Sequence, residues 1–207
     1  MEDSEIKKLV IIGASGHGKV VADIAKKNGY REIQFLDDNR DLKECCGYGV
    51  VGGSSDYIKY DCDMIVAIGN PHIREKIQEQ LENAKKKIPV LIHPKAAVGE
   101  NVLIGKGTVI MAGAVVNSDT EIGRGCIINT CASVDHDCRI GAFVHVSVGG
   151  HVAGSVYVGD RTWIGIGAVV SNNISVCEDC MIGAGAVVIK NIKNSGTYIG
   201  VPAEIRA

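Results

Sequence analysis

Large rings, basic clusters and long apolar runs are all scarce in this chain. Aromatic residues make up 4% of its 207 residues, which favours a core too thin to hold rings. No basic block stands out and the formal net charge is −2, so we expect no nucleic acid and no anionic membrane surface as partner. No apolar run approaches the roughly 18 residues of a spanning helix, and the acidic start lacks an apolar signal region. We therefore expect no membrane insertion and a cytoplasmic location.

What the chain has instead is a strict six-residue repeat. Valine or isoleucine recurs at every sixth position from Val98 to Val188, sixteen times without an exception or an insertion. A compact residue stands two positions before each of them. A period of six fits neither an amphipathic helix nor a simple alternating strand. It predicts a solenoid that turns a corner every six residues and sends one aliphatic side chain inward from each flat face.

The repeat resembles that of the hexapeptide-repeat acyltransferases, which fold as an all-β, left-handed parallel β-helix. The resemblance covers residues 96–190 and implies three hexads per triangular coil, so we expect about five coils in which residues eighteen apart stack. Three of the eight cysteines, Cys126, Cys138 and Cys180, fall at the inward compact position, where a thiol acts as a small hydrophobe. Cys177 and Cys180 have the C-x-x-C spacing, but no second pair or nearby histidine completes a zinc site. The cysteines are therefore interpreted as structural or incidental thiols.

Residues 1–92 have a different pattern, in which apolar strand segments alternate with amphipathic helical segments. Strands are predicted at Leu9–Ile12, Ile33–Leu36, Gly49–Gly52, Met64–Ile68 and Pro89–Ile92, and helices at 19–28 and 72–87. Strand, glycine loop, helix and strand is the order of a βαβ unit. We therefore predict an α/β Rossmann-like domain over residues 1–92, followed by the β-helix domain over residues 93–207.

A glycine-rich loop, Gly13–Gly18, follows the first predicted strand. Backbone N–H groups at the start of a helix bind phosphate oxygens, and glycine lets a phosphate come close. Asp37 and Asp38 end the next strand, where a carboxylate can accept hydrogen bonds from a ribose or a base. A tight structural turn is the alternative, because the spacing G-x-x-G-x-G is not the dinucleotide fingerprint. A domain this small lacks the second half that a dinucleotide needs, so one nucleoside diphosphate is favoured over NAD.

The motifs GASGHG, FLDD and AIGN, followed by the hexapeptide repeat, resemble one subfamily along nearly the whole chain. It comprises the nucleotide-sugar N-acetyltransferases of bacillosamine-type and perosamine-type pathways and their sialic-acid O-acetyltransferase relatives. The resemblance implies a UDP-linked amino sugar on the N-terminal domain, acetyl-CoA on the β-helix, and a homotrimer with active sites between neighbouring helices. The residues that it places around the nucleotide sugar are Gly13, Ser15, Gly16, His17, Asp37, Asp38, Ile68, Gly69 and Asn70.

The reacting centre is expected around His136, which stands two residues past an inward valine and so lies at a corner or faces outward. By the eighteen-residue rule Ser118 lies under it and Gly154 over it, which leaves open space above the imidazole. An exposed, solvated histidine is the alternative. The family pattern makes His136 the general base that accepts the proton of the attacking amine. Asp137 or Asp135 is its partner, and the sequence does not choose between them.

Acetyl-CoA is expected along the coils near this centre. His145 points away from the core, with Trp163 stacked above it, and the resemblance has it contact acetyl-CoA and help polarise the thioester. Packing of His145 at a subunit interface is the alternative. Glycine-containing corners are expected to offer backbone groups to the pantetheine arm, although Glu204 stands where the family usually has a basic residue. The residues implied for acetyl-CoA are Asn129, His145, Gly154, Gly165, Ile166, Gly167, Ala184, Gly185, Val201 and Pro202.

The implied mechanism is direct transfer of the acetyl group to the 4-amino group of an amino-dideoxy sugar, without a metal. Three alternatives stay open. The acceptor is a hydroxyl in O-acetylation of a sialic acid or a related sugar, which the same base would serve. A metal hydratase needs three histidine ligands whose spacing His136, His145 and His151 do not match. A non-enzymatic scaffold or sugar-nucleotide sensor is disfavoured by the acidic–histidine–acidic cluster.

Overall fold

The computed structural model describes residues 6–206. The chain forms two compact units that divide between Leu91 and Ile92. Within the described residues, no helix has the length and apolar character needed to cross a membrane.

The first unit is built on a three-stranded parallel sheet. Its central strand β1 pairs with β2 on one side and with β5 on the other, while β3 and β4 form a separate antiparallel hairpin. The predicted alternation of strands and helices is therefore confirmed. The elements are β1 (Lys8–Ile12), α1 (Gly16–Lys27), β2 (Glu32–Leu36), β3 (Glu44–Cys45), β4 (Tyr48–Gly49), a 3-10 helix (Ser54–Lys59), β5 (Asp63–Val66) and α2 (Pro71–Asn83).

The apolar runs that predict these strands form the core of the sheet. Val10 and Ile12 of β1 belong to one buried cluster with Ile77 and Leu81 of α2. Ile11, on the opposite face of the same strand, is fully buried as well. A strand that is buried on both faces reads as a continuous aliphatic run, which is typical of parallel sheets.

Several predicted boundaries in this unit are wrong. Helix α2 ends at Asn83 rather than at residue 87, because Lys85 has a left-handed backbone (φ +55°), and β5 ends at Val66 rather than at Ile68. Helix α1 begins at Gly16 rather than at Lys19, because the glycine loop itself supplies the first helical turn. The strand predicted at Gly49–Gly52 is reduced to the end of the hairpin and a single bridge between Val50 and Phe35. The errors at the start of α1 and at Gly49–Gly52 concern glycine-rich segments, where sequence periodicity gives no signal.

The second unit is a solenoid of very short strands. Each of the sixteen repeat residues ends one of the strands β7 to β22, so the predicted repeat is confirmed at every position. The strands are β6 (Leu91–Ile92), β7 (Ala97–Val98), β8 (Leu103–Ile104), β9 (Val109–Ile110), β10 (Val115–Val116), β11 (Glu121–Ile122), β12 (Ile127–Ile128), β13 (Ser133–Val134), β14 (Arg139–Ile140), β15 (His145–Val146), β16 (His151–Val152), β17 (Tyr157–Val158), β18 (Trp163–Ile164), β19 (Val169–Val170), β20 (Ser175–Val176), β21 (Cys180–Ile182), β22 (Val187–Val188), β23 (Gly196–Ile199) and β24 (Glu204–Ile205).

Three sheets run along the solenoid and are its first, second and third faces. The first face holds every third strand from β7 to β22, and the second every third strand from β8 to β20. The third face runs from β6 through β9 to β23, with β24 antiparallel at its edge. The strand predicted at Pro89–Ile92 is present as the shorter β6 (Leu91–Ile92), but its assignment to the N-terminal domain is wrong, because β6 pairs with β9. The register advances by eighteen residues per coil, as the pairing of Val116 with Val134 illustrates, so the stacking rule is confirmed.

The interior is a column of small and branched side chains. Inward residues such as Val134 and Val170 are fully buried, and burial of each such side chain contributes about 1.5–3 kcal/mol. Polar groups at the compact position are satisfied: the Thr108 hydroxyl donates to the Gly123 carbonyl (2.8 Å) and accepts the Cys126 N–H (3.0 Å). The cysteines of the described chain are free thiols.

Candidate active site

His136 lies at the corner between the first and second faces, where the chain passes from β13 to β14. The corners of the neighbouring coils hold it from both sides. The Asp137 N–H donates to the Ser118 carbonyl (3.2 Å), and the Ser155 N–H donates to the His136 carbonyl (2.9 Å). Since the backbone is fixed by regular coil stacking, the side chain projects outward, and 58% of it is exposed.

The imidazole of His136 is paired with Asp137. Nδ1 lies 2.7 Å from Asp137 Oδ2, so the carboxylate accepts the Nδ1 proton and the neutral ring keeps its lone pair on Nε2. The hydrogen bond to Asp137 raises the pKa of His136 above its usual value, and the charge of Asp135 raises it further. The structure therefore presents a basic Nε2 at the solenoid surface.

Asp135 holds the backbone of the corner rather than the ring. Its Oδ1 accepts the His136 N–H (2.8 Å) and the side-chain amide of Asn117 (2.7 Å). The hydrogen bond from Asn117 lowers the pKa of Asp135 below its usual value, and the hydrogen bond from the His136 N–H contributes a smaller lowering. The sequence leaves the choice between the two carboxylates open, and in the structure it is Asp137 that contacts the imidazole. Asn117 is not among the predicted site residues, although its separation of eighteen residues from Asp135 is a usable signal.

Gly154 lies over His136, as the stacking rule predicts, but the space above the ring is not open. A Cβ on Gly154 would lie 2.7 Å from both Cε1 and Nε2 of the imidazole. Because two non-bonded heavy atoms cannot approach that closely, the ring occupies the volume that any larger residue would need. The expectation of open space above the ring is therefore wrong, because the imidazole packs directly against the backbone of Gly154.

A second polar cluster lies on the third face, around His145. Its ring stacks on Trp163 with centroids 4.3 Å apart, which confirms the predicted stacking, and its side chain is buried although it faces away from the core. The side-chain amide of Asn129 lies 3.0 Å from His145 Nε2. In a triangular coil the corner that carries His136 is opposite the third face. One chain therefore does not bring His136 and His145 to the same reacting atom.

The other residues expected at acetyl-CoA fall mostly at the corner between the third and first faces. Gly165 is packed under the next coil, since a Cβ there would lie 2.7 Å from the Gly183 carbonyl carbon. Ile166 is 60% exposed. The N–H groups of Gly167 and Gly185 donate to carbonyls of the preceding coil (3.1 and 2.8 Å), so they are already used within the solenoid. This corner therefore offers a ligand space and apolar surface rather than the two N–H groups. Ala184 is also exposed at this corner.

The C-terminal segment closes the solenoid beside this corner. Strand β23 pairs with β21, and the chain then folds back so that the Ala203 N–H donates to the Val187 carbonyl (2.8 Å). Val201 and Pro202 protrude from this return, with Val201 74% exposed. Gly154, in contrast, belongs to the His136 corner.

In the first unit, the predicted phosphate loop joins β1 to α1. Gly13 has φ +108°, and a Cβ there would lie 2.7 Å from the Ala67 carbonyl oxygen, so only glycine fits. Gly16 opens the helix, and a Cβ there would meet no atom within 4 Å. Ser15 is the N-cap residue of this helix and makes no side-chain capping bond. The helix start is therefore uncrowded at the point where an anion would bind.

The carboxylates at the end of β2 already hold neighbouring loops. Asp37 accepts the N–H groups of Ala14 (2.7 Å) and Asn39 (2.9 Å), one on each oxygen. Asp38 accepts the N–H (2.7 Å) and the hydroxyl (2.9 Å) of Ser54. Each oxygen has accepted one hydrogen bond from the protein and retains one further lone pair for a ligand.

The turn after β5 is organised by a buried arginine, which is not among the predicted site residues. Arg74 Nη1 donates to the carbonyls of Ile68 (2.7 Å) and Gly69 (2.8 Å), and Asn70 caps α2 by accepting the Ile73 N–H (3.1 Å). Burial, and then the Arg74 charge, lower the pKa of the nearby His17 to about 4. Within the described chain, no hydrogen-bond partner reaches the buried Nε2 of His17.

The loops that carry these candidate substrate-site residues follow β1, β2 and β5. They lie at one edge of the sheet, because the carboxyl ends of parallel strands meet there. The described residues contain no group of three histidine, cysteine or acidic side chains placed to hold a metal ion.

Comparison with known families matches both units. The family model described as PglD N-terminal domain matches residues 8–81, and that described as bacterial transferase hexapeptide (six repeats) matches residues 98–136 and 155–190. A curated relative, UDP-N-acetylbacillosamine N-acetyltransferase of Bacillus subtilis (strain 168), is 35% identical over 113 residues. That alignment spans about half (52%) of the length of each protein.

Two solved structures match over nearly their whole length. The acetyltransferase domain of PglB from Neisseria gonorrhoeae FA1090, in complex with acetyl coenzyme A, has a TM-score of 0.94 at 42% identity and covers 97% of this chain and 99% of its own. PerB from Caulobacter crescentus, in complex with CoA and GDP-perosamine, has a TM-score of 0.92 at 36% identity and covers 98% of both chains.

Proposed function

The chain belongs to the left-handed β-helix, hexapeptide-repeat acetyltransferases that carry a PglD N-terminal domain, and from that premise we propose that it transfers an acetyl group from acetyl-CoA to the amino group of a nucleotide-linked sugar. Relatives with 36–42% identity bind acetyl-CoA, or CoA together with a nucleotide-linked amino sugar. The proposed acceptor is a UDP-linked 4-amino-4,6-dideoxyhexose. A cytoplasmic location belongs to the proposal, because acetyl-CoA is available there.

The pairing of His136 with Asp137 carries the proposal. A primary amine must lose a proton as it attacks a thioester, and an imidazole with a free Nε2 accepts it. The 2.7 Å contact at Nδ1 orients the ring and stabilises the imidazolium that forms. Transfer is direct, with no acyl-enzyme, and the enzyme contributes mainly by holding amine and thioester at reacting distance, which supplies roughly 7–11 kcal/mol in well-oriented systems.

The donor site is proposed to form between copies of the chain. Most residues expected at acetyl-CoA, including Asn129 and His145, lie on the third face and its adjoining corner, whereas His136 lies opposite, at the corner that also carries Gly154. Placing acetyl-CoA against both groups requires a neighbouring solenoid. A homotrimer with parallel axes brings the corner of one copy to the third face of the next, and we include it in the proposal.

The nucleotide is proposed to bind at the sheet edge of the first unit. The uncrowded start of α1 at Gly16 suits a pyrophosphate, and the unpartnered Nε2 of His17 needs a polar partner. With its pKa lowered to about 4, His17 is neutral at physiological pH and can donate to a phosphate or sugar oxygen through the Nε2 proton.

The test is mass-spectrometric detection of acetyl transfer to a panel of UDP- and GDP-linked 4-amino sugars and free sialic acid. We expect one amino sugar to gain an acetyl group and His136→Ala to abolish the gain. His151→Ala is the matched control. His151 is another exposed histidine of the solenoid, with its Nδ1 hydrogen-bonded to the Ser133 hydroxyl (2.8 Å). It has no part in the proposed reaction, so the variant should retain activity. Acetylation of sialic acid alone would replace N-transfer by O-transfer, and full activity in His136→Ala would refute the proposed base.

A further inference from the structure

Two cysteine thiols meet at the last corner between the second and third faces. Cys177 follows β20 and Cys180 begins β21, and their sulfur atoms lie 3.4 Å apart. Cys177 is half-buried, whereas Cys180 is 1% exposed. The pair therefore joins one accessible thiol to one buried thiol across a turn of four residues.

The end of the coil stack explains why a side chain is present at position 177. At this corner position the earlier coils carry Gly105, Gly123, Gly141 and Gly159. A Cβ on Gly159 would lie 2.7 Å from the carbonyl carbon of Cys177, so glycine is required wherever a regular coil stacks above. The second face ends at β20, and after it the segment between β22 and β23 takes the place of a regular coil, with the Cys177 N–H donating to the Ile192 carbonyl (3.0 Å).

The solenoid contains a matched site without the second thiol. Cys126 occupies the same position as Cys180 three coils earlier, with Gly123 in place of Cys177. Its sulfur lies 3.0 Å from the Gly141 carbonyl oxygen. The same buried thiol thus occurs with and without a neighbour, which separates the effect of the pair from the effect of the position.

We propose that Cys177 and Cys180 form a reversible disulfide, with a small-molecule disulfide as the oxidant. The Cys177 thiolate attacks one sulfur of the small disulfide and releases one small thiol. Cys180 then attacks the mixed disulfide at the Cys177 sulfur and releases the second. The two protein thiols lose two protons and two electrons, and the small disulfide gains them as two thiols.

The geometry requires little movement for this step. The two sulfurs must close from 3.4 Å to the bonded distance of about 2 Å, which small side-chain rotations at a turn can achieve. Burial raises the pKa of Cys180 to about 12, so the first attack falls to Cys177. The ring closes only a few residues, so the expected effect is a chemical modification of the corner rather than a large gain in stability.

The test uses the intact protein, oxidised glutathione as the oxidant, and alkylation after denaturation. Cleavage after Arg161 and Lys190 releases a peptide, 162–190, whose only cysteines are the proposed pair. Peptide 125–139 carries the control Cys126 together with Cys131 and Cys138, so fragment ions assign the state of Cys126. We expect peptide 162–190 to lose both alkylatable thiols and two hydrogen atoms in mass, and to regain them with dithiothreitol. Cys126 should stay alkylatable.

Two variants resolve the order of the steps. Cys180→Ser should trap glutathione on Cys177, because the resolving thiol is gone, and Cys177→Ser should leave Cys180 reduced. Recovery of both free thiols in the wild-type peptide, or a stable glutathione adduct on wild-type Cys177, would overturn the proposal. Neither outcome depends on acetyltransferase activity, so the proposed function is tested separately.

Discussion

The backbone of Gly154 lies directly over the imidazole of His136, at a distance that leaves no room for a Cβ on Gly154. The ring is thus confined between the glycine on the next coil and the Asp137 carboxylate on its own corner. A rigid solenoid fixes both neighbours, and the proposed base is therefore held without a surrounding pocket.

Replacement of Gly154 by alanine should displace the ring. The added Cβ would lie 2.7 Å from Cε1 and Nε2, so His136 must leave its position against Asp137. We expect acetyl transfer to fall by roughly 10²-fold or more, within the range of general-base contributions, while the solenoid still folds. A double-mutant cycle with His136→Ala provides the control. If Gly154→Ala alters unfolding free energy equally with and without the imidazole, the steric explanation is wrong.

Replacement of Asp137 by asparagine should move the acid limb of the pH profile. Because Asp137 raises the pKa of His136, its loss lowers that pKa, and the neutral base persists to lower pH. We expect kcat/KM to decline at lower pH than in the wild type, with a plateau reduced by roughly 10²-fold because the ring loses its orientation.

Asp119→Asn is the matched control for that pH profile. Asp119 lies one coil earlier with the same φ of +58°, and its carboxylate accepts from Asn101 (3.0 Å) rather than from an imidazole. Its replacement should leave the acid limb in place. An equal shift in both variants would point to general surface charge instead of the specific pairing.

Asn117 should act through Asp135. Its amide donates to the carboxylate that holds the His136 N–H, and it lowers the pKa of Asp135. In Asn117→Ala we expect the pKa of Asp135 to rise and activity to fall by less than in His136→Ala, measured by carboxyl NMR titration and by kcat/KM. Asn101→Gly removes another amide–carboxylate hydrogen bond between neighbouring coils, that from Asn101 to Asp119, which does not involve Asp135 and should change neither quantity.

Gly13 and Gly16 should respond differently to alanine. Gly13 combines a positive φ with a contact of 2.7 Å to the Ala67 carbonyl, so Gly13→Ala should destabilise the protein by about 1–3 kcal/mol in denaturant unfolding. Gly16→Ala meets no atom within 4 Å and should leave stability nearly unchanged. If a phosphate approaches this helix start, Gly16→Ala should still weaken nucleotide-sugar binding in calorimetry; unchanged binding would place the nucleotide elsewhere.

The six-residue period is sufficient to predict the solenoid and the position of its corners. Each coil contacts only its neighbours, so a residue's surroundings are those eighteen positions away; the period of six runs from Val98 to Val188, and the resemblance to the hexapeptide-repeat family supplies the three hexads per coil. The same rule correctly predicts Gly154 over His136 and Trp163 over His145. The parallel sheet of the first unit follows from continuous aliphatic strands.

The contacts that depend on side-chain direction emerge only in the folded chain. Asp135 and Asp137 both flank His136 in the sequence, and only the folded corner shows that Asp137 contacts the ring while Asp135 accepts the His136 N–H. Arg74 lies in the first turn of α2, and only the folded chain shows its side chain directed back to the Ile68 and Gly69 carbonyls. His136 and His145 are nine residues apart, half of an eighteen-residue coil, and they lie on opposite sides because the chain closes three faces, rather than another number, into one coil, which the period of six alone does not specify.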